Sequence, residues 1–221
     1  YFKILKNKNF KIIVLTEFHK SFLIKQGFDK KNIFVQHNLI KIKNEKEANL
    51  EKDYIVYAGR ISKEKGVEEL IKSFLNIQNK KLKLKIVGSG PSLRSLQKKY
   101  NDPNIQYLGQ MKNSDVVNLI KNSLAVVTAT KLYEGQPNIL TEASLLGVPS
   151  VFPEFGGMPE FFNDEYSLMF EQYNYDELTK KINQVSSLRY SNDIGNMNMN
   201  YIKTIINEEK NLEKFNFFLN E

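Results

Sequence analysis

The sequence predicts an α/β fold, a Rossmann-like parallel sheet with helices on both faces. Short apolar runs of strand type alternate with helical stretches along most of the chain, the order that βα units impose. Runs such as Ile55-Val56-Tyr57-Ala58 and Ala125-Val126-Val127 are continuous rather than alternating, as strands covered on both faces must be. A chain of 221 residues, 41% hydrophobic and 12% aromatic, also has the means to bury such a sheet.

An opening strand, helix and strand are expected over residues 11–16, 17–26 and 33–36. Residues 41–52 are charged and without periodicity, which predicts a linker. The main array sets strands at 54–58, 82–87, 105–108, 124–128, 149–152 and 167–170. Between them stand helices at 67–77, 92–100, 114–121, 139–146 and 176–186. Ser114 is placed to cap its helix, and Gly147 to end the one before Pro149, whose ring forbids continuation. A last amphipathic helix is expected from Asn198, with Ile202, Ile205, Ile206, Leu212, Phe215 and Phe218 on its apolar side. Such a face must pack on something. The expected organisation is an opening unit (1–40), a linker (41–52), a main domain (53–187) and a helical tail (188–221). Tyr1 in place of an initiating methionine points to a chain that begins inside a longer one.

No run approaches the roughly 18 apolar residues of a membrane span. The absence of cysteine excludes disulfides and thiolate metal sites. With no charged-then-apolar leader either, a cytoplasmic location is expected. The net charge of +7 calls for an anionic partner. Only Arg60, Arg94 and Arg189 are arginines, and the lysines are spread among asparagines and isoleucines. That lacks the clustered arginine and exposed aromatics of a nucleic-acid surface, so no nucleic acid is expected. A phosphorylated small molecule fits, and so does peripheral contact with the inner face of an anionic membrane.

The run Glu134-Gly135-Gln136-Pro137-Asn138-Ile139-Leu140-Thr141-Glu142 reads as strand end, loop and helix start. Unpaired amides and the positive end of the helix dipole make such a start an anion site. Carboxylates are poor phosphate ligands but good acceptors for hydroxyls, so Glu134 and Glu142 point to a ribose and a donor sugar. After the strand at 54–58 comes Gly59-Arg60-Ile61-Ser62-Lys63-Glu64-Lys65-Gly66, in which Arg60 and Lys65 bring two cations to a strand's carboxyl end, suited to a diphosphate. A departing nucleoside diphosphate gains charge as the bond to the sugar breaks, and placed cations lower that barrier. No Asp-x-Asp pair is present to hold a metal for this purpose, so a metal-independent reaction is expected.

The ordered segments GRISKEKG, KIVGSGP, YLGQM, EGQPNILTEASLLGVPSV and FGGMPE resemble the C-terminal, donor-binding domain of the GT-B fold retaining glycosyltransferases of family 4, also called glycosyl transferases group 1. The resemblance covers residues 53–187, and Glu134 and Glu142 have that family's E-x7-E spacing. It implies the C-terminal half of a GT-B fold and a retaining hexosyltransferase that uses a UDP- or GDP-linked sugar with no cofactor or metal. Arg60 and Lys65 would bind the diphosphate, Glu134 the donor sugar and Glu142 the ribose. Arg60, Lys65 and Glu134 are the expected catalytic residues. Gly59, Met111, Gly135, Gln136, Pro137, Asn138, Ile139, Leu140 and Glu142 complete the donor site, with the backbone of residues 109–111 meeting the base. Residues 11–38 are similar to the end of the family's N-terminal domain, except that Asn38-Leu39 stands where Asn-Gly is frequent. The rest of that domain, which holds the saccharide or lipid-linked acceptor, is absent, so the isolated chain is expected to be inactive. The alternative is a non-catalytic nucleotide-sugar-binding subunit or scaffold.

Gly88-Ser89-Gly90-Pro91 is read as a tight strand-to-helix turn lining the cleft. Leu93 stands where a dinucleotide fingerprint needs its third glycine. His19 and His37 are expected to be structural, because neither belongs to a nucleophile motif.

Overall fold

The computed structural model of the chain describes residues 10–42 and 52–220. Tyr1 and most of the expected linker lie outside the described residues. A small parallel sheet pairs β1 (Ile12–Val14) with β2 (Ile33–Val35), joined by α1 (Glu17–Lys25). The large sheet is built from β3 (Tyr54–Ala58), β4 (Lys83–Val87), β5 (Ile105–Gly109), β6 (Ala125–Val127), β7 (Ser150–Pro153) and β8 (Met169–Phe170). Helices α2 (Val67–Leu75), α3 (Leu93–Lys99), α4 (Asn113–Lys121), α5 (Asn138–Leu145) and α6 (Tyr175–Val185) lie between or after these strands. The tail forms α7 (Leu188–Ile205) and α8 (Glu208–Asn220).

All the pairings are parallel, in the order β5-β4-β3-β6-β7-β8. Ile55, Ala125, Val127, Val151 and Phe152 are fully buried, which accounts for strands written as unbroken apolar runs. Winding runs outward from β3 in one direction and from β6 in the other. Between those two strands the connections diverge, and a crevice opens at the carboxyl ends.

Four expectations need correction. The first strand stops at Val14, because Thr16 caps α1 instead, its hydroxyl accepting from the His19 amide at 3.2 Å. Ser114 lies inside the first turn of α4; Lys112 is the cap and its carbonyl receives the amides of Asp115 and Val116. The tail helix begins at Leu188, ahead of Asn198. A Cβ on Gly195 would lie 2.0 Å from the Gly147 carbonyl oxygen, so α7 packs with its backbone on the end of α5. Asn198 is buried there and donates to Ser144 Oγ at 2.8 Å. In α8, Phe218 packs on Phe34 of β2 at 4.9 Å, while Leu212 remains 48% exposed.

Candidate functional site

The chain leaves β3 through Gly59, Arg60 and Ile61, laid against the loop that follows β4. The Gly59 amide donates to Val87 O at 3.0 Å, the Ile61 amide to Ser89 O at 2.9 Å, and the Ser92 amide to Ile61 O at 3.1 Å. A Cβ on Gly88 would come 1.9 Å from Gly59 O, and one on Gly90 2.2 Å from Ile61 O. Only glycine lets backbone lie on backbone this closely. The Gly88-Ser89-Gly90 turn thus holds the Arg60 corner.

Gly66 ends the 3-10 turn Lys63–Lys65 at φ 66°, and a Cβ there would stand 1.8 Å from Ala129 O. This approach sets Lys65 beside the end of β6. Its ammonium meets the Glu134 carboxylate at 2.5 Å, and the Thr130 hydroxyl donates to the same oxygen at 3.1 Å. Lys65 and Glu134 keep 27% and 26% of their side-chain surface in solvent, so the pair is within reach of a ligand. Pro137 caps α5, its carbonyl receiving Leu140 and Thr141 at 3.0 Å. The first amides of α5 are therefore left without helical acceptors, at the positive end of its dipole. Glu142, one turn in, is half-buried, and among the described residues its carboxylate has neither hydrogen bond nor ion pair. Burial pushes its pKa up.

These walls enclose a cavity of about 190 Å³ that meets Arg60, Lys65, Thr130, Glu134, Asn138 and Ile139. A wider hollow of about 460 Å³ adjoins it, sharing Gly59, Arg60 and Ile139 and reaching Ser89, Gln110 and Met111. A larger space of about 750 Å³, between Lys20, Phe34 and Phe217, lies apart from all the expected site residues.

The opening unit is fastened to the same loops. The Glu160 carboxylate accepts from the amides of Glu17 and Phe18, each at 2.7 Å, and so caps α1 from the far side of the crevice. Gln136 and Asn38 bond reciprocally. The Asn38 amide donates to Gln136 Oε1 at 2.5 Å, and Gln136 Nε2 donates to Asn38 O at 3.0 Å. Asn38 Nδ2 reaches Asn138 Oδ1 at 3.3 Å. His19 lies against Gly135, where a Cβ would meet its ring at 2.9 Å. His37 Nδ1 donates to Leu15 O at 2.8 Å, since a carbonyl can only accept.

The family described as glycosyl transferases group 1 matches residues 40–207. The chain belongs to that family. It is similar to the amylovoran biosynthesis glycosyltransferase AmsD of Erwinia amylovora, 26% identical over 79% of this chain and 52% of that protein. It is also similar to the capsular polysaccharide biosynthesis glycosyltransferase CapM of Staphylococcus aureus, 30% identical over 59% of this chain and 36% of that protein. Among solved structures, Anabaena HepE in complex with UDP and glucose superposes with a TM-score of 0.85 at 15% identity, over 99% of this chain and 66% of that one. A structure of S. aureus TarM that contains UDP gives 0.82 at 23% identity, over 97% and 44%. The chain spans about half of AmsD and a third of some other relatives.

In this group 1 chain, nine of the expected residues line the smaller cavity: Gly59, Arg60, Lys65, Glu134, Gln136, Pro137, Asn138, Ile139 and Leu140. Met111 lines the wider one. Gly135 and Glu142 line neither. Gly135 is the contact for His19, and the Gln136 amide is engaged with Asn38. Tyr57, Thr130 and Asn38 were not picked out as site residues. Tyr57 shares its strand with a second phenol, Tyr54, and nothing along the chain sets the one apart from the other. Thr130 stands four residues before Glu134, and a threonine at that spacing in a loop carries no signal of its own.

Proposed function

We propose that this chain is the donor-binding, C-terminal part of a family 4 retaining glycosyltransferase and holds a UDP- or GDP-linked hexose. The observation that carries the reading is the convergence of Arg60, Lys65, Glu134 and the first turn of α5 on one cavity at the reversal of the sheet order. The diphosphate lies between Arg60, Lys65 and the free amides of α5, where positive charge and unpaired donors coincide. The base occupies the wider hollow beside Met111. The unpartnered Glu142 carboxylate accepts from the ribose hydroxyls, and Glu134, already beside Lys65, takes a hydroxyl of the sugar.

As the anomeric bond lengthens, negative charge collects on the leaving diphosphate next to cations that the fold has already oriented, with no metal needed. Lys65 enters this step preorganised, because its carboxylate partner Glu134 is itself held by the Thr130 hydroxyl. The acceptor is a saccharide or lipid-linked saccharide presented at the open side of the cavity by a region corresponding to the part of the longer relatives that lies outside the match to this chain. The net charge of +7 supports contact with an anionic membrane face during that delivery. Replacing Glu142→Ala should weaken nucleoside diphosphate binding about tenfold, by loss of charged hydrogen bonds, and leave inorganic pyrophosphate binding unchanged. Equal affinities for the nucleotide in calorimetry would remove Glu142 from the ribose.

A further inference from the structure

Tyr57 is 3% exposed near the end of β3 and is among the residues that line the 190 Å³ cavity. Its hydroxyl donates to the Arg60 carbonyl oxygen at 2.7 Å. That carbonyl and the Ile61 amide belong to one peptide group, and the amide donates to Ser89 O at 2.9 Å on the other side. The peptide that follows Arg60 is therefore held at both poles, one by backbone and one by a single phenol. Gly59 makes the room, since a Cβ there would stand 3.3 Å from the Tyr57 oxygen.

We propose that Tyr57 is a positioning residue for the donor diphosphate, its hydroxyl fixing the Arg60–Ile61 peptide and through it the direction in which the Arg60 guanidinium enters the cleft. The inference rests on the donor reading given above. Lys65 is already steered by Glu134 at 2.5 Å, but Arg60 is exposed and has no salt bridge among the described residues. For such a side chain, the placement of its own backbone is what narrows the volume it samples before a ligand arrives. Burial, together with the negative charges of Glu134 and Glu64, pushes the Tyr57 pKa up. Both effects favour the neutral phenol, the form that donates. Without it, the Arg60 carbonyl has no other donor among the described residues, and the peptide gains freedom to rotate.

The test is calorimetry on the whole chain with the nucleoside diphosphate it binds best among UDP, GDP and ADP, and with the matching monophosphate. Tyr57→Phe keeps the ring and is expected to weaken the diphosphate about fivefold, the size of one neutral hydrogen bond, and to leave the monophosphate unchanged. Tyr54→Phe is the control, because that hydroxyl donates to Leu119 O at 2.9 Å from the far end of the same strand. It should alter neither affinity, and its melting temperature gives the baseline for loss of a buried phenol. In an Arg60→Ala background, Tyr57→Phe should add nothing, because the phenol acts through Arg60. Unchanged diphosphate affinity, an equal loss for both nucleotides, or a full further loss on top of Arg60→Ala would each overturn the assignment. Absence of any nucleotide binding by the unsubstituted chain would overturn the donor reading itself, and this inference with it.

Discussion

Among the described residues, the side chains of Arg60 and Glu142 have no hydrogen bond or ion pair that explains them. An exposed arginine on a glycine-bounded corner contributes little to the fold, so Arg60→Ala should leave the melting temperature within about 2 °C. The same change should cost about tenfold or more in diphosphate affinity, the measure of a charged hydrogen bond. A chain that loses stability and keeps its affinity would make Arg60 structural. Glu142 carries a pH signature as well. Its folded pKa lies above the ordinary value of 4.5, so the folded chain binds the proton more tightly than the unfolded one. Stability from this group is present below 4.5 and is lost as pH rises through the folded value. Glu142→Gln, which cannot ionise, should therefore gain in melting temperature relative to the unsubstituted chain as pH climbs from 4.5 to neutrality. A constant difference would mean that the carboxylate is not buried at a cost. The charges at the site were legible in the sequence because they follow strand ends and bracket glycines. The hydroxyls of Tyr57 and Thr130 were not, because a hydrogen-bonding role has no pattern along the chain.

At the scale of elements, the continuous apolar strands and glycine-terminated helices were readable from residue type. Errors arose where tertiary contact overrides local preference. Helix α7 contains Gly195 and several asparagines, poor helix formers that argue against a helix before Asn198. The helix forms because Gly195 admits the Gly147 carbonyl and Asn198 bonds to Ser144, neither of which is near in sequence. Gly195→Ala places a methyl 2.0 Å from that carbonyl oxygen, so the helices must separate. We expect a loss of about 2 kcal/mol from this overpacking, measured by denaturant unfolding. An unchanged or raised stability, as propensity alone would give, would show that α7 is free to shift on α5.

Across the whole molecule, the opening unit and the large sheet meet on the residues that form the cleft. Glu160 caps α1, Gln136 clasps Asn38, His19 covers Gly135, and Phe18 lies against Tyr133 at 5.5 Å. The sequence marked residues 1–40 as a separate unit, yet nothing in it marked Gln136 or Glu160 as fasteners, since each partner is about a hundred residues or more away. The loop that carries Glu134 is thus held from both sides before any ligand is present. The most direct test of the account is calorimetric titration of the purified chain with UDP, GDP and ADP, each with magnesium and with a chelator. Saturable binding of one of them, equal under both conditions, is the predicted result. Binding of none, or binding that vanishes when magnesium is removed, would contradict a preformed, metal-independent diphosphate site at the Arg60 corner.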